Sequence, residues 1–275
     1  MPFIYNFKQR LIDKLKKILF ERFEYNKVTI SNQICKVNKN EIPNIVYQSW
    51  KSRDLPWRLV NDMKRFRSLN QDHSFLIFSD EERDKYMESV WKEHDIYKIY
   101  LNSLFEASKT DIWRYCILFE RGGFYFDIKS GCDTPLSKLE ISKGSVMSYE
   151  PFLTFSIPDT NFILQDEKAF HIIQNWSFGF KKNHKLLKML IENICKYAPY
   201  IRGKNFSNPK SAILAFTGPG MLTKTYREYI NEDNDNIKLN GINYYDKGLY
   251  ELKGAKYRFK DSKSYSDFKN SIILS

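Results

Sequence analysis

No run of about 18 uninterrupted apolar residues occurs in this 275-residue chain, which excludes a transmembrane helix. The N-terminus also lacks the apolar core and small-residue cleavage site of a secretory signal, so the chain is expected to be mature as it stands. Cysteine is sparse. Cys35, Cys116, Cys132 and Cys195 are widely spaced, with no C-x-x-C pair and no histidine pair at zinc-finger spacing. That argues against a disulfide scaffold or a zinc ribbon and for a reducing compartment, with the thiols as small apolar fillers. Acidic residues are the minority charge, 33 Asp plus Glu against 44 Lys plus Arg, for a formal net charge of +11. A positive balance suits nucleic acid, an anionic membrane or a phosphate-bearing substrate, and a Lys- and Asn-rich composition accounts for much of it. Because the basic residues are scattered among acids with no recognisable DNA- or RNA-binding motif, nucleic acid is set aside. What is plentiful is apolar and aromatic material, 42% and 16%, enough for one substantial core and too much for a disordered tail.

Along the chain, Ile4, Phe7, Leu11, Leu15 and Ile18 fall at helical spacing among Lys8, Arg10, Lys14, Lys16, Lys17 and Arg22. This predicts a basic amphipathic helix over residues 1–24, either resting on an anionic membrane surface or packed on the domain. Residues 1–40 are read as this helix and a linker, and residues 41–275 as one folded domain. Strands are expected at 42–50 and 74–78, with a helix from Pro56 and Trp57 to about Leu69 between them and another capped by Ser79 or Asp80. A largely buried helix runs from about Leu104 to Glu120 and ends at Gly122-Gly123, and a short aromatic strand follows. Further strands are expected at 144–149 and 161–165, strand-like pieces at 242–245, a helix over 184–197, and a turn at 217–220 leading into another helix. The alternation of strand and helix indicates an α/β sheet.

Two charged residues of the buried helix, Asp111 and Arg114, lie three apart and so share a face. They either satisfy one another or are aimed together at a polar ligand. Asp127 tips that choice. It stands at the end of the aromatic strand, and open α/β sheets bind ligands outside the carboxyl ends of their strands. All three could hold a hydroxylated, phosphorylated molecule, and a nucleotide sugar fits.

The run from Ser108 to Asp127 resembles the sugar-binding region of glycosyltransferase family 32, whose usual form is A/S-D-x-x-R-Y, an apolar helix, then G-G-x-Y-x-D-x-D. Ile42-Pro43-Asn44-Ile45-Val46-Tyr47-Gln48-Ser49-Trp50 resembles the family's first strand, and Asn175-Trp176 and Thr217-Gly218-Pro219 are similar to later stretches. The resemblance implies a GT-A-type nucleotide-binding α/β fold with a mostly parallel central sheet. It implies a retaining transfer of a hexose from a UDP- or GDP-sugar to a glycan or lipid-linked acceptor in surface polysaccharide biosynthesis; the cysteine pattern and the basic N-terminal helix add the expectation of a cytoplasmic protein that can be peripheral on the membrane. By the same resemblance Asp111 and Arg114 hold the donor sugar and diphosphate, Gln48 and Trp50 line the base pocket, Tyr125 lies near the nucleotide, and Asp127 binds ribose or metal.

The pattern breaks at position 129, where Lys replaces the second Asp of D-x-D. Three readings stay open: Lys129 neutralises the diphosphate itself; Asp127 and Asp133 hold Mn²⁺ or Mg²⁺; or the chain binds a nucleotide sugar without turning it over. No carboxylate nucleophile stands out, which favours a front-face route in which the departing phosphate helps to deprotonate the acceptor. His171 and His184 are read as structural.

Overall fold

The computed structural model describes residues 27–38, 40–150, 172–233, 237–246, 249–251 and 268–275. The expected N-terminal basic helix, the strand at 161–165 and His171 lie outside them. No helix among the described residues is long and apolar enough to cross a membrane.

The sheet is built first by β-rich runs: β2 (Ile45–Ser49), β4 (Ser74–Phe78) and β5 (Gly123–Phe126), with β7 (Ser145–Val146) and β8 (Ser177–Phe180) completing the order β4-β2-β5-β8-β7. Pairings β4-β2 and β2-β5 are parallel, while β5-β8 and β8-β7 are antiparallel. The sheet is therefore mixed, not mostly parallel.

Side-chain alternation covers both faces. Val46, Phe124 and Phe126 pack with Phe66 of helix α1 (Trp57–Ser68), whereas Tyr47 and Tyr125 face the other way, into a cluster with Trp113, Ile117 and Leu190. That second face is covered by α4 (Glu106–Arg121) and α5 (Lys185–Ile201), with α7 (Pro219–Asp233) packed on α5. Helix α2 (Asp80–Trp91) starts where Ser79 and Glu82 form a reciprocal capping box, the Ser79 hydroxyl accepting from the Glu82 amide at 3.2 Å and a Glu82 carboxylate oxygen from the Ser79 amide at 2.8 Å.

Elsewhere the structure departs from expectation. A helix, α3 (Asp95–Asn102), precedes α4 and is capped by His94. Residues 242–245 form no strand: Asn243–Asp246 is a helical turn in which Tyr244 and Tyr245 adopt left-handed backbone at φ 55°. Residues 27–38, expected as linker, pack on the domain. Strand β1 (Lys27–Thr29) pairs with β3 (Asp54–Pro56), Ile30 is buried, and Gln33 bridges to Phe75. The C-terminus is also tied in, as β11 (Ser271–Ile272) pairs with β9 (Asn205–Phe206) beside α6 (Pro209–Phe216).

Candidate functional site

Two periodicities bring the site together. On α4 the i,i+3 spacing stacks Asp111 and Arg114, and beyond the turn the period of two puts Tyr125 and Asp127 on the face of β5 that meets α4. The turn requires its glycines. Gly122 has φ +68° and Gly123 φ +117°, and a Cβ on Gly123 would lie 2.7 Å from the Ile45 carbonyl oxygen. Asp127 continues the β5 ladder one step, its amide donating to the Trp176 carbonyl at 2.8 Å.

The result is a charged cluster at one wall of a cavity of about 970 Å³. Arg114 reaches Asp111 at 3.2 Å and Asp127 at 3.4 Å, donates to the Asn175 carbonyl at 2.6 Å, and lies 4.2 Å above the centre of the Tyr125 ring. The Tyr125 hydroxyl donates to Asp127 at 2.6 Å, and Lys129 Nζ stands 4.0 Å from the other Asp127 oxygen. Asp111 accepts from the Thr217 hydroxyl at 3.1 Å and from the Asn175 amide at 3.3 Å.

Burial pushes the Asp111 carboxyl above the ordinary carboxylate range, against the opposing pull of Arg114 and Thr217. Burial alone would lower the Arg114 guanidinium, but Tyr125, Asp111 and Asp127 together raise it, so Arg114 keeps its charge. Glu150 is also pushed up by burial, and the Trp176 indole donates to it at 3.3 Å.

Of the residues singled out from the sequence, Trp50, Asp111, Arg114, Tyr125, Asp127 and Lys129 all line this one cavity. Gln48 does not. Its neighbours in β2, Tyr47 and Ser49, point toward α4, so strand alternation sends Gln48 to the opposite face, where it is 1% exposed. Asp133 does not line the cavity either; it sits on the surface and pairs with Arg65 at 3.5 Å. His184 is structural, accepting the Leu186 amide at the start of α5.

Sequence reasoning missed Asn175 and Thr217 as site residues, although both lie in stretches that carried the resemblance. It also missed the second charged group facing the cavity, where buried Arg83 joins Asp80 at 3.0 Å, the Thr110 hydroxyl at 2.9 Å and Glu106. The rest of the lining includes the apolar residues Leu104, Phe105, Leu214, Phe268 and Ile272.

The described residues do not fit a divalent metal. At a phosphate site such an ion is held by one or two carboxylates together with phosphate oxygens and water, and the carboxylate placed for it here, Asp127, already serves Tyr125 and Arg114 through one oxygen while the other faces an ammonium group. Among the described residues no group of three His, Cys, Asp or Glu side chains could hold a metal. The expected pairing of Asp127 with Asp133 fails because Cys132 pairs in β6 (Ser130–Cys132) with β10 (Leu249–Glu251), and Asp133, next along the chain, meets Arg65.

Comparison with known proteins agrees with the region so defined. Residues 56–146 match the family described as glycosyltransferase sugar-binding region containing DXD motif. Inositol phosphoceramide mannosyltransferase 3 of Schizosaccharomyces pombe is 25% identical over 203 residues, covering 72% of this chain and 47% of that protein. The initiation-specific alpha-1,6-mannosyltransferase of Candida albicans is 26% identical over 214 residues, covering 69% of this chain and 53% of the relative. The chain thus spans about half the length of the relatives it matches. Among solved structures, the PaToxG glycosyltransferase superposes with a TM-score of 0.50 at 14% identity, covering 82% of this chain and 80% of that one. Residues 56–146 thus match a glycosyltransferase sugar-binding region of the DXD type, in a chain whose α/β fold is similar to that of the PaToxG glycosyltransferase.

Proposed function

We propose that this chain is a retaining glycosyltransferase that moves a hexose, mannose in the first instance, from a UDP- or GDP-sugar to a lipid-linked or glycan acceptor. The observation that carries the reading is the convergence of Asp111, Arg114 and Asp127 on one cavity. Carboxylates accept from sugar hydroxyls, and a buried guanidinium meets the charge that grows on a departing phosphate. In the transfer the bond from the anomeric carbon to the β-phosphate oxygen breaks and its electron pair leaves with the nucleoside diphosphate. The acceptor oxygen bonds to the same carbon from the same face, and its proton passes to a phosphate oxygen. The protein orients the two reactants and stabilises charge.

The choice of mannose is supported by the relatives named inositol phosphoceramide mannosyltransferase 3 and initiation-specific alpha-1,6-mannosyltransferase, and that of a lipid-linked acceptor by the first of these names. The apolar part of the cavity lining suits an acceptor with a lipid portion. Work at the cytosolic face of a membrane, on surface polysaccharide, completes the reading, with residues 1–24 as the contact to anionic lipid. The test is incubation with radiolabelled GDP-mannose and UDP-hexoses, with and without lipid-linked acceptors, followed by NMR of the product anomer. Release or transfer of the sugar with the donor's anomeric configuration is expected; an inverted product overturns retention, and donor bound without turnover overturns the enzyme.

A further inference from the structure

We infer that Lys129 is the cation that meets the donor's diphosphate, so that this chain holds its nucleoside diphosphate without a divalent ion. The inference rests on the nucleotide-sugar reading and adds to it the means by which the phosphates are neutralised. Lys129 follows Asp127 by two residues, on the turn between β5 and β6, and its side chain is 34% exposed where it lines the cavity. At 4.0 Å from Asp127 its ammonium group makes no close hydrogen bond to that carboxylate, which leaves its donors available to a ligand.

The surroundings favour an anion over a metal. Within this wall Arg114 and Lys129 meet different oxygens of the half-buried Asp127, while the second carboxylate on Arg114, Asp111, is buried. A divalent ion placed there would meet both positive groups, whereas a diphosphate would be attracted by both. Glu150 lies near enough to feel the charges of Lys129 and Asp127, but it accepts from the Trp176 indole and does not line the cavity. Asp111 is committed to Thr217, Asn175 and Arg114. A lysine is a point charge well matched to phosphate oxygens, and here it occupies the step along the chain where a second aspartate would have supplied a metal ligand. As the sugar departs, negative charge accumulates on the β-phosphate, and Lys129 with Arg114 is placed to stabilise it.

The test is calorimetric binding of UDP and of GDP to the full chain, in excess EDTA and in excess MnCl₂. Whichever nucleotide binds is expected to do so within about twofold in the two buffers, because no ion is required. Lys129→Met should weaken binding in EDTA by about tenfold or more, the loss of one charge-assisted contact, and Lys129→Arg should recover most of it. Lys129→Asp should bind with Mn²⁺ and lose binding in EDTA. Circular dichroism of each variant matching the wild type shows that the fold is retained. Wild-type binding that falls tenfold or more in chelator, or binding by Lys129→Met equal to the wild type, overturns the assignment of Lys129 while leaving the nucleotide site standing. Binding of neither nucleotide in either buffer overturns both readings.

Discussion

Asp111→Asn separates the charge of the site's most buried acid from its shape. Burial pushes the Asp111 carboxyl from an ordinary 3.8 up to about 7, with Arg114, Thr217 and Asn175 opposing and Asp127 reinforcing. Between those values the folded protein keeps a proton that the unfolded chain has released. The stability this supplies is complete below pH of about 4 and is lost as the pH rises through about 7. Roughly three pKa units at about 1.4 kcal/mol each set a ceiling of about 4 kcal/mol on the effect. In Asp111→Asn that dependence is gone, while an acceptor for Thr217 remains, and Arg114 keeps Asp127 at 3.4 Å and the Tyr125 ring. The pH-independent cost should therefore stay within about 1–3 kcal/mol. Urea unfolding of both proteins from pH 4 to pH 8 reads the difference directly. It should move in favour of the variant as pH rises, by as much as about 4 kcal/mol. A difference that is flat across this range refutes the reasoning, because the folded carboxyl would then titrate as it does in the unfolded chain.

Gly123→Ala should cost about 3 kcal/mol or more in urea unfolding, since φ +117° is closed to alanine and its Cβ would press on the β2 backbone at 2.7 Å. A loss under about 1 kcal/mol would mean that the turn can shift without disturbing the sheet. Arg83→Met should cost about 3 kcal/mol, because Asp80 at 3.0 Å and the hydroxyls of Tyr100 and Thr110 at 2.9 Å lose a donor that is itself 1% exposed. Unchanged stability would show that this cluster is solvated enough to do without its arginine.

The helix, turn and strand that build the charged wall were legible because each announces itself locally. Asp111 and Arg114 obey helical spacing, the double glycine permits backbone that other residues avoid, and Tyr125 and Asp127 obey strand spacing on the same side. Gln48 was misplaced although the needed rule was available, since alternation in β2 puts it on the face opposite Tyr47. Asn175 and Thr217 touch Asp111 from 64 and 106 residues away, and no local pattern encodes a contact at such separation. The antiparallel return of β8 was hidden for the same reason, because the direction of a strand is settled by its connections and not by its composition. Helix α3 escaped notice because its eight residues follow closely on α2, with no proline or glycine between them to mark a break.

The most direct measurement of the central claim is a thermal shift of the chain with GDP-mannose and with UDP-hexoses, repeated on Asp127→Ala. At about a hundredfold excess over the dissociation constant, one of these donors should stabilise the fold by about 2.7 kcal/mol. For a domain of this size that is a rise in Tm of about 5 °C or more. The account predicts that rise in the wild type and its loss in Asp127→Ala, whose own stability should fall by about 1–3 kcal/mol because Tyr125 and Arg114 lose an acceptor, so each donor shift is read against the ligand-free Tm of the same protein. No shift with any donor, or the same shift in both proteins, would contradict a donor site formed by Asp111, Arg114 and Asp127.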